Sequence, residues 1–197
     1  DELVAAGLDR HVYAWHLDGA PVRGFPVLLV DPARARTIDP TTHQVAFDTD
    51  VGQGGELVVT PALGDLDGDG RPEIVVGSQE QYPEDVAAFP PVGLPDVSGN
   101  TRLYAIWGDG TSHVGSADRS AVHPDDVAYL PGWPVAVAMI KTEVLPLLGD
   151  GINTQAAIGD VDADGRPEVV VASAAGPVES FEVDGRLPHR VLGQPSP

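Results

Sequence analysis

The sequence predicts an all-β fold, with four-stranded antiparallel blades following one another as a partial β-propeller of about two and a half blades. Three observations predict it. Ala62–Ser78, ALGDLDGDGRPEIVVGS, returns 95 residues later as Ala157–Ser173, AIGDVDADGRPEVVVAS, with twelve of the 17 positions identical. A strand-like octapeptide ending in Asp-Gly occurs three times, as VYAWHLDG (Val12–Gly19), LYAIWGDG (Leu103–Gly110) and VESFEVDG (Val178–Gly185). Asp-Gly after an alternating run is a hairpin-turn signal. Finally, 23 Gly and 19 Pro among 197 residues, with no collagen period, call for many turns between short strands.

Each octapeptide follows a β-branched run that begins with Glu: ELVAAG (Glu2–Gly7), EIVVGS (Glu73–Ser78) and EVVVAS (Glu168–Ser173). The step from that Glu to the octapeptide is 10 residues in the first and third repeats and 30 in the second, so the second carries a 20-residue insertion. After the octapeptide comes Gly-aromatic-Pro-Val: Gly24-Phe25-Pro26-Val27, then Gly132-Trp133-Pro134-Val135, each leading into an apolar run. Repeat three has only a weak version, Leu187-Pro188 and Val191-Leu192. One repeat is therefore strand, acidic loop, strand, strand, Asp-Gly turn, strand. A lone sheet of this kind cannot bury both faces, so repeats must stack.

Propellers close with about four to eight blades. The chain is expected to be one segment of such a ring over residues 1–197: a partial blade plus linker (1–56), a blade with two insertions (57–141) and a partial blade (142–197). It starts Asp-Glu-Leu-Val, without an initiator Met or a signal peptide, which reads as a processed or excised piece. Stretches 31–55, 79–100 and 111–131 are expected to be irregular loops over a propeller face, with Tyr82, Phe89 and Tyr129 among them. Loops of this length are often functional.

The repeated loop carries the chemistry. Asp stands at loop positions 1, 3 and 5 (Asp65, Asp67, Asp69; Asp160, Asp162, Asp164), Gly at 6 (Gly70, Gly165) and Glu at 9 (Glu73, Glu168). Calcium takes six to eight oxygens at about 2.3–2.6 Å. Alternate residues of a tight loop can turn carboxylates to one centre, and Gly permits the sharp turn. Position 7 (Arg71, Arg166) would add its backbone carbonyl. A solvated acidic turn is the bland alternative, but recurrence of the loop between apolar strands favours two Ca2+ sites. It is not an EF-hand, which needs Glu at position 12 and a following helix. Here position 12 is Val76 and Val171, and Pro72 and Pro167 oppose a helix.

Composition narrows the function. Setting the eight loop carboxylates aside leaves 22 acids against 11 bases, within a net charge of −19. Nucleic acid and anionic membranes are therefore not expected partners. No run of 18 apolar residues is present, so no helical membrane insertion is expected. Without Cys there are no disulfides. Of six His (His11, His16, His43, His113, His123, His189), none forms a two-His metal motif; His11 and His16, five apart along a strand and so on opposite sides, are read as surface or packing residues. Gly52–Gly55 lacks the Lys and helix of a phosphate loop and reads as a flexible turn. Asp125-Asp126 reads as a solvated pair. Trp15, Trp107 and Trp133 lie on or beside strands, where core or blade-to-blade packing is favoured over sugar stacking.

The GDxDGDGRPEIVVGS element, with LYAI..DG and GWPV, resembles the FG-GAP/VCBS-type repeats of integrin-α-like β-propellers, in their bacterial style. The resemblance implies calcium held by Asp65, Asp67, Asp69, the Arg71 carbonyl and Glu73, and by Asp160, Asp162, Asp164, the Arg166 carbonyl and Glu168. The family's Phe-Gly and Gly-Ala-Pro signatures are not cleanly present, so integrin-type partner binding is not implied. Such proteins usually act outside the cytoplasm, so a secreted or cell-surface, non-catalytic module for binding, adhesion or scaffolding is expected. Its partner would be a protein or carbohydrate ligand, and its neighbours the remaining blades or further copies of the chain. The alternatives are the propeller part of a secreted polysaccharide-acting, lyase-like enzyme, for which Arg34, Arg36, Arg102, Arg119 and Lys141 are too scattered to nominate a site, and a self-assembling structural subunit.

Overall fold

The computed structural model describes residues 2–39, 41–47, 55–82, 98–110, 128–140, 151–173 and 177–191. Blade 1 is β1 (Glu2–Ala6), β2 (His11–His16) and β3 (Val27–Leu28). A hairpin of β4 (Ala35–Ile38) and β5 (Val45–Phe47) follows. Blade 2 is β6 (Ala62–Gly64), β7 (Glu73–Gly77), β8 (Ser98–Ile106) and β9 (Val135–Ile140). Blade 3 is β10 (Ala157–Gly159), β11 (Glu168–Ala172), β12 (Val178–Phe181) and β13 (His189–Val191). Every sheet is an antiparallel meander in sequence order. Among the described residues no helix is long and apolar enough to cross a membrane.

Alternation along the strands of blade 2 supplies two apolar faces. Ile74, Val76, Tyr104 and Ile106 pack with Val12, Val27 and Leu29 of blade 1. Val75, Leu103, Ala105, Val135 and Val137 pack with Val169, Val171 and Phe181 of blade 3. Burial on both sides explains why β7 reads as a continuous apolar run after its Glu. The chain is thus a stack of blades, a partial β-propeller.

The two short repeat signatures meet each other across the junctions. A Cβ on Gly24 would lie 2.5 Å from the Asp109 carbonyl oxygen, and one on Gly110 would meet Gly24 and Phe25 at 2.9 Å. At the next junction, Gly132 is pressed on the carbonyl of Asp184 and Gly185 on Gly132. Here the Trp133 indole N–H donates to the Val183 carbonyl at 2.8 Å, and its ring packs on Phe181. Both aromatic-Pro peptides, Phe25-Pro26 and Trp133-Pro134, are cis.

Each blade also covers the exposed edge of its predecessor's last strand, where unpaired backbone groups would otherwise invite foreign strands. The Tyr129 hydroxyl accepts the Val30 N–H at 3.0 Å and faces the carbonyls of Leu28 and Val30 at 3.0 and 3.1 Å. The Glu179 carboxylate accepts the Ala138 N–H at 3.0 Å, and the Ser173 hydroxyl donates to the Ala138 carbonyl at 2.5 Å.

Several expectations change. Stretch 31–55 is not wholly irregular: it contains the β4–β5 hairpin, whose turn forms because the Asp39 carboxylate accepts the N–H groups of Thr41 and Thr42 at 2.8 Å. β8 begins at Ser98, inside the stretch read as loop, because pairing with β9 extends back to Ser98 opposite Ile140. Tyr82 and Tyr129 are buried rather than spread over a face. The weak fourth strand of repeat three is formed as β13. Gly55, read as part of a flexible turn, is buried against the Arg10 guanidinium. The expectations for Phe89, Asp125-Asp126, His113, His123, Arg119, Lys141 and loop 111–127 lie outside the described residues.

Candidate metal centres

Residues 65–73 close the β6–β7 hairpin and residues 160–168 the β10–β11 hairpin. Gly64 pairs with Glu73 and Gly159 with Glu168, which fixes the two loop ends. Within each loop the carboxylates cap the backbone. In loop one, Asp65 accepts the N–H groups of Gly68 (2.8 Å) and Gly70 (3.0 Å), Asp67 that of Asp69 (3.0 Å), and Asp69 that of Arg71 (2.8 Å). Loop two repeats this: Asp160 accepts from Asp164 (3.1 Å) and Gly165 (3.0 Å), Asp162 from Asp164 (3.1 Å), and Asp164 from Arg166 (2.8 Å). Alternation of Asp with short residues folds the chain into successive Asx turns and leaves carboxylate oxygens on the inner side.

The closing Glu differs from the Asp residues because it sits on a strand. Glu73 and Glu168 are 1% and 0% exposed. One oxygen of each accepts a backbone N–H from loop position 2: Leu66 to Glu73 and Val161 to Glu168, both at 2.7 Å. The other Glu168 oxygen, Oε1, is buried with no hydrogen-bond partner. A buried carboxylate oxygen left without a partner is costly. In loop two, oxygens of Asp160, Asp162, Asp164 and Glu168 all lie within 4.8 Å of one another. In loop one, Asp65, Asp67 and Glu73 do so, and Asp69 falls outside the group. Burial, reinforced by Asp67, Asp69 and Asp65, pushes the Glu73 carboxyl above its ordinary range, against the opposing pull of the Leu66 N–H. A cation at this centre would remove that repulsion. The residues present therefore fit a metal, and all the ligands they offer are hard oxygens.

Arg71 and Arg166 occupy position 7 with exposed side chains, and their N–H groups serve the loop. The two loops differ in setting. Loop one borders a cleft of about 210 Å³ shared with blade 1 and lined by Glu2, Val22, Arg71, Pro72, Trp107 and Asp109. Loop two stands at the outer side of blade 3, where Val161 is exposed.

Two polar clusters escaped the sequence reading. Glu80, 1% exposed, accepts hydrogen bonds from Ser78 Oγ (2.8 Å), Tyr82 (3.0 Å) and Tyr104 (2.6 Å) and pairs with Arg10 of blade 1 at 3.1 Å. Beside it, Arg102 Nε donates to Asp31 at 2.7 Å, and its guanidinium lies 4.2 Å from the Tyr82 ring centroid. The other cluster joins His11 to His43 at 2.7 Å. No sequence spacing signals either cluster, because the partners are 24 to 71 residues apart wherever they bridge elements.

Four-stranded meanders stacked face to face, each full blade with an acidic loop in its first hairpin, define a β-propeller-type repeat protein. Residues 58–88 match the FG-GAP repeat family, and that span holds β6, loop one and β7. The chain therefore carries an FG-GAP-type repeat in blade 2. No curated protein matches it.

Proposed function

We propose that the chain is a calcium-stabilised, extracellular β-propeller module for binding, adhesion or scaffolding. The observation that carries the calcium reading is the buried, unpartnered Glu168 Oε1 beside three convergent aspartates. Asp65, Asp67, Asp69 and Glu73 would hold one ion and Asp160, Asp162, Asp164 and Glu168 the other, with the carbonyls of Arg71 and Arg166 completing each shell. Bound calcium would tie the first two strands of a blade together and offset carboxylate repulsion. Its role is structural. The extracellular placement is supported by the FG-GAP repeat and by an affinity class expected near 10⁻⁴–10⁻³ M, which only a calcium-rich medium saturates. The ligand would be a protein or carbohydrate.

Calcium at ten times its Kd stabilises by about 1.4 kcal/mol per site. Two sites should therefore raise Tm by on the order of 5–10 °C for a chain of this size. Calorimetric melts with calcium and with chelator check this, and Asp67→Ala should abolish roughly half of the difference. Identical melts in both media would refute the calcium role.

A further inference from the structure

The β4–β5 hairpin is clamped to the β1–β2 turn of blade 1 at two points. The Arg10 guanidinium lies 4.8 Å from the Phe47 ring centroid. The second point is the pair His11 Nε2 and His43 Nδ1, 2.7 Å apart. The two imidazole planes lie within 13° and their centroids are 5.1 Å apart. That separation is close to the N···N distance plus the two ring radii, so the rings meet end to end, as an in-plane N–H···N bond requires.

The tautomers follow from the surroundings. His11 Nδ1 lies 2.8 Å from the Asp9 carbonyl oxygen and therefore donates there. Its Nε2 is left to accept the proton on His43 Nδ1. His43 holds a left-handed backbone, φ 54°, in the hairpin turn, and its N–H donates to the Asp39 carbonyl. Among the described residues, Asp9 and Tyr13 of blade 1 and Asp39 of the hairpin face the pair, and Arg10, next to His11 in the chain, lies over Phe47. Asp9 Oδ2 lies 3.5 Å from His11 Nδ1, and Asp39 feels the charge of His43.

We propose that the end-to-end His11–His43 pair is an acid-released latch that holds the β4–β5 hairpin on blade 1. One added proton leaves a donor and an acceptor in the pair, and the nearby Asp9 and Asp39 carboxylates accommodate the charge. A second proton must occupy the accepting nitrogen. The bond is then lost and two cations face each other. Release parts the hairpin turn from the β1–β2 turn and loosens the hairpin, which keeps the apolar packing of Ala35, Ile38, Val45 and Phe47 on Leu28 and Val30, while the blade cores stay packed.

Hydrogen exchange of the full chain, in saturating calcium between pH 7.5 and 5.0, tests this. After correction for intrinsic rates, amides of residues 35–47 should exchange at least tenfold faster at pH 5.0 than at 7.5, while those of β7 and β8 keep their protection. His43→Asn places an amide nitrogen where Nδ1 lies, and His11→Gln places an amide where Nε2 lies. Each should hold the hairpin without the acid response. Protection of 35–47 that does not change with pH, loss shared equally by β7 and β8, or an acid response that persists in both variants would each overturn the latch.

Discussion

At the scale of single residues, the acidic loop is legible because its geometry is local. Asp at alternate positions and Gly at position 6 dictate the turns, whatever the rest of the chain does. The two copies nonetheless differ. Position 4 is Gly68 at φ 82° in loop one but Ala163 at φ 64° in loop two, where a Cβ is strained. Ala163→Gly should therefore raise stability by about 0.5–1 kcal/mol in urea unfolding, against the usual direction for an Ala→Gly change. That Asp164 joins its cluster while Asp69 stands outside its own was not legible, since their spacing is identical. The Glu80 cage was equally hidden. Burial, then the Glu80 carboxylate, raises Tyr104 and Tyr82 well above the ordinary tyrosine range. Their contribution to stability is full below the unfolded value near 10 and is lost as pH rises above it. With two such tyrosines, unfolding free energy should fall by about 2.7 kcal/mol per pH unit above 10, and Tyr104→Phe should halve that slope in urea midpoints measured from pH 9 to 11.

At the scale of elements, the strands were legible from β-branched runs bounded by Asp-Gly and Gly-aromatic-Pro. What those signatures are for was not. Each lies far from its partner in sequence, and only stacking shows that the Asp-Gly turn of one blade seats on the Gly-aromatic-Pro of the blade before it. Gly132 needs both its positive φ, 89°, and the space that the Asp184 carbonyl fills, whereas Gly19, at φ 85°, has nothing within 4 Å. Gly132→Ala should thus cost more than about 2 kcal/mol, and Gly19→Ala about 1 kcal/mol from backbone strain alone. Thermal melts of the two variants separate junction packing from turn conformation; equal losses would mean that the junction contact adds nothing. The β4–β5 hairpin was missed because its strands are short and its turn, held by the Asp39 carboxylate, carries no Asn-Gly or Asp-Gly signal.

At the scale of the molecule, repeat equivalence explains two of the exposed apolar residues, Leu3 and Val161. Leu3, Tyr13 and Trp15 occupy in blade 1 the positions that Ile74, Tyr104 and Ile106 fill in blade 2, where all three are buried against blade 1. Leu3 is 60% exposed because no described blade covers that face. Val161 of blade 3, 58% exposed, matches Leu66, which is buried in the blade 2–blade 3 core. The two outer faces therefore carry opposite halves of one junction. The face of blade 1 offers a turn, Asp18-Gly19, and that of blade 3 offers the strand side. Such a stack has a head and a tail. Two like faces brought together by a twofold axis would set turn against turn, and neither would find its counterpart. An assembly that reused the blade-to-blade junction through these faces would be vectorial, propagating in one direction until it closes into a ring or winds into an open helix.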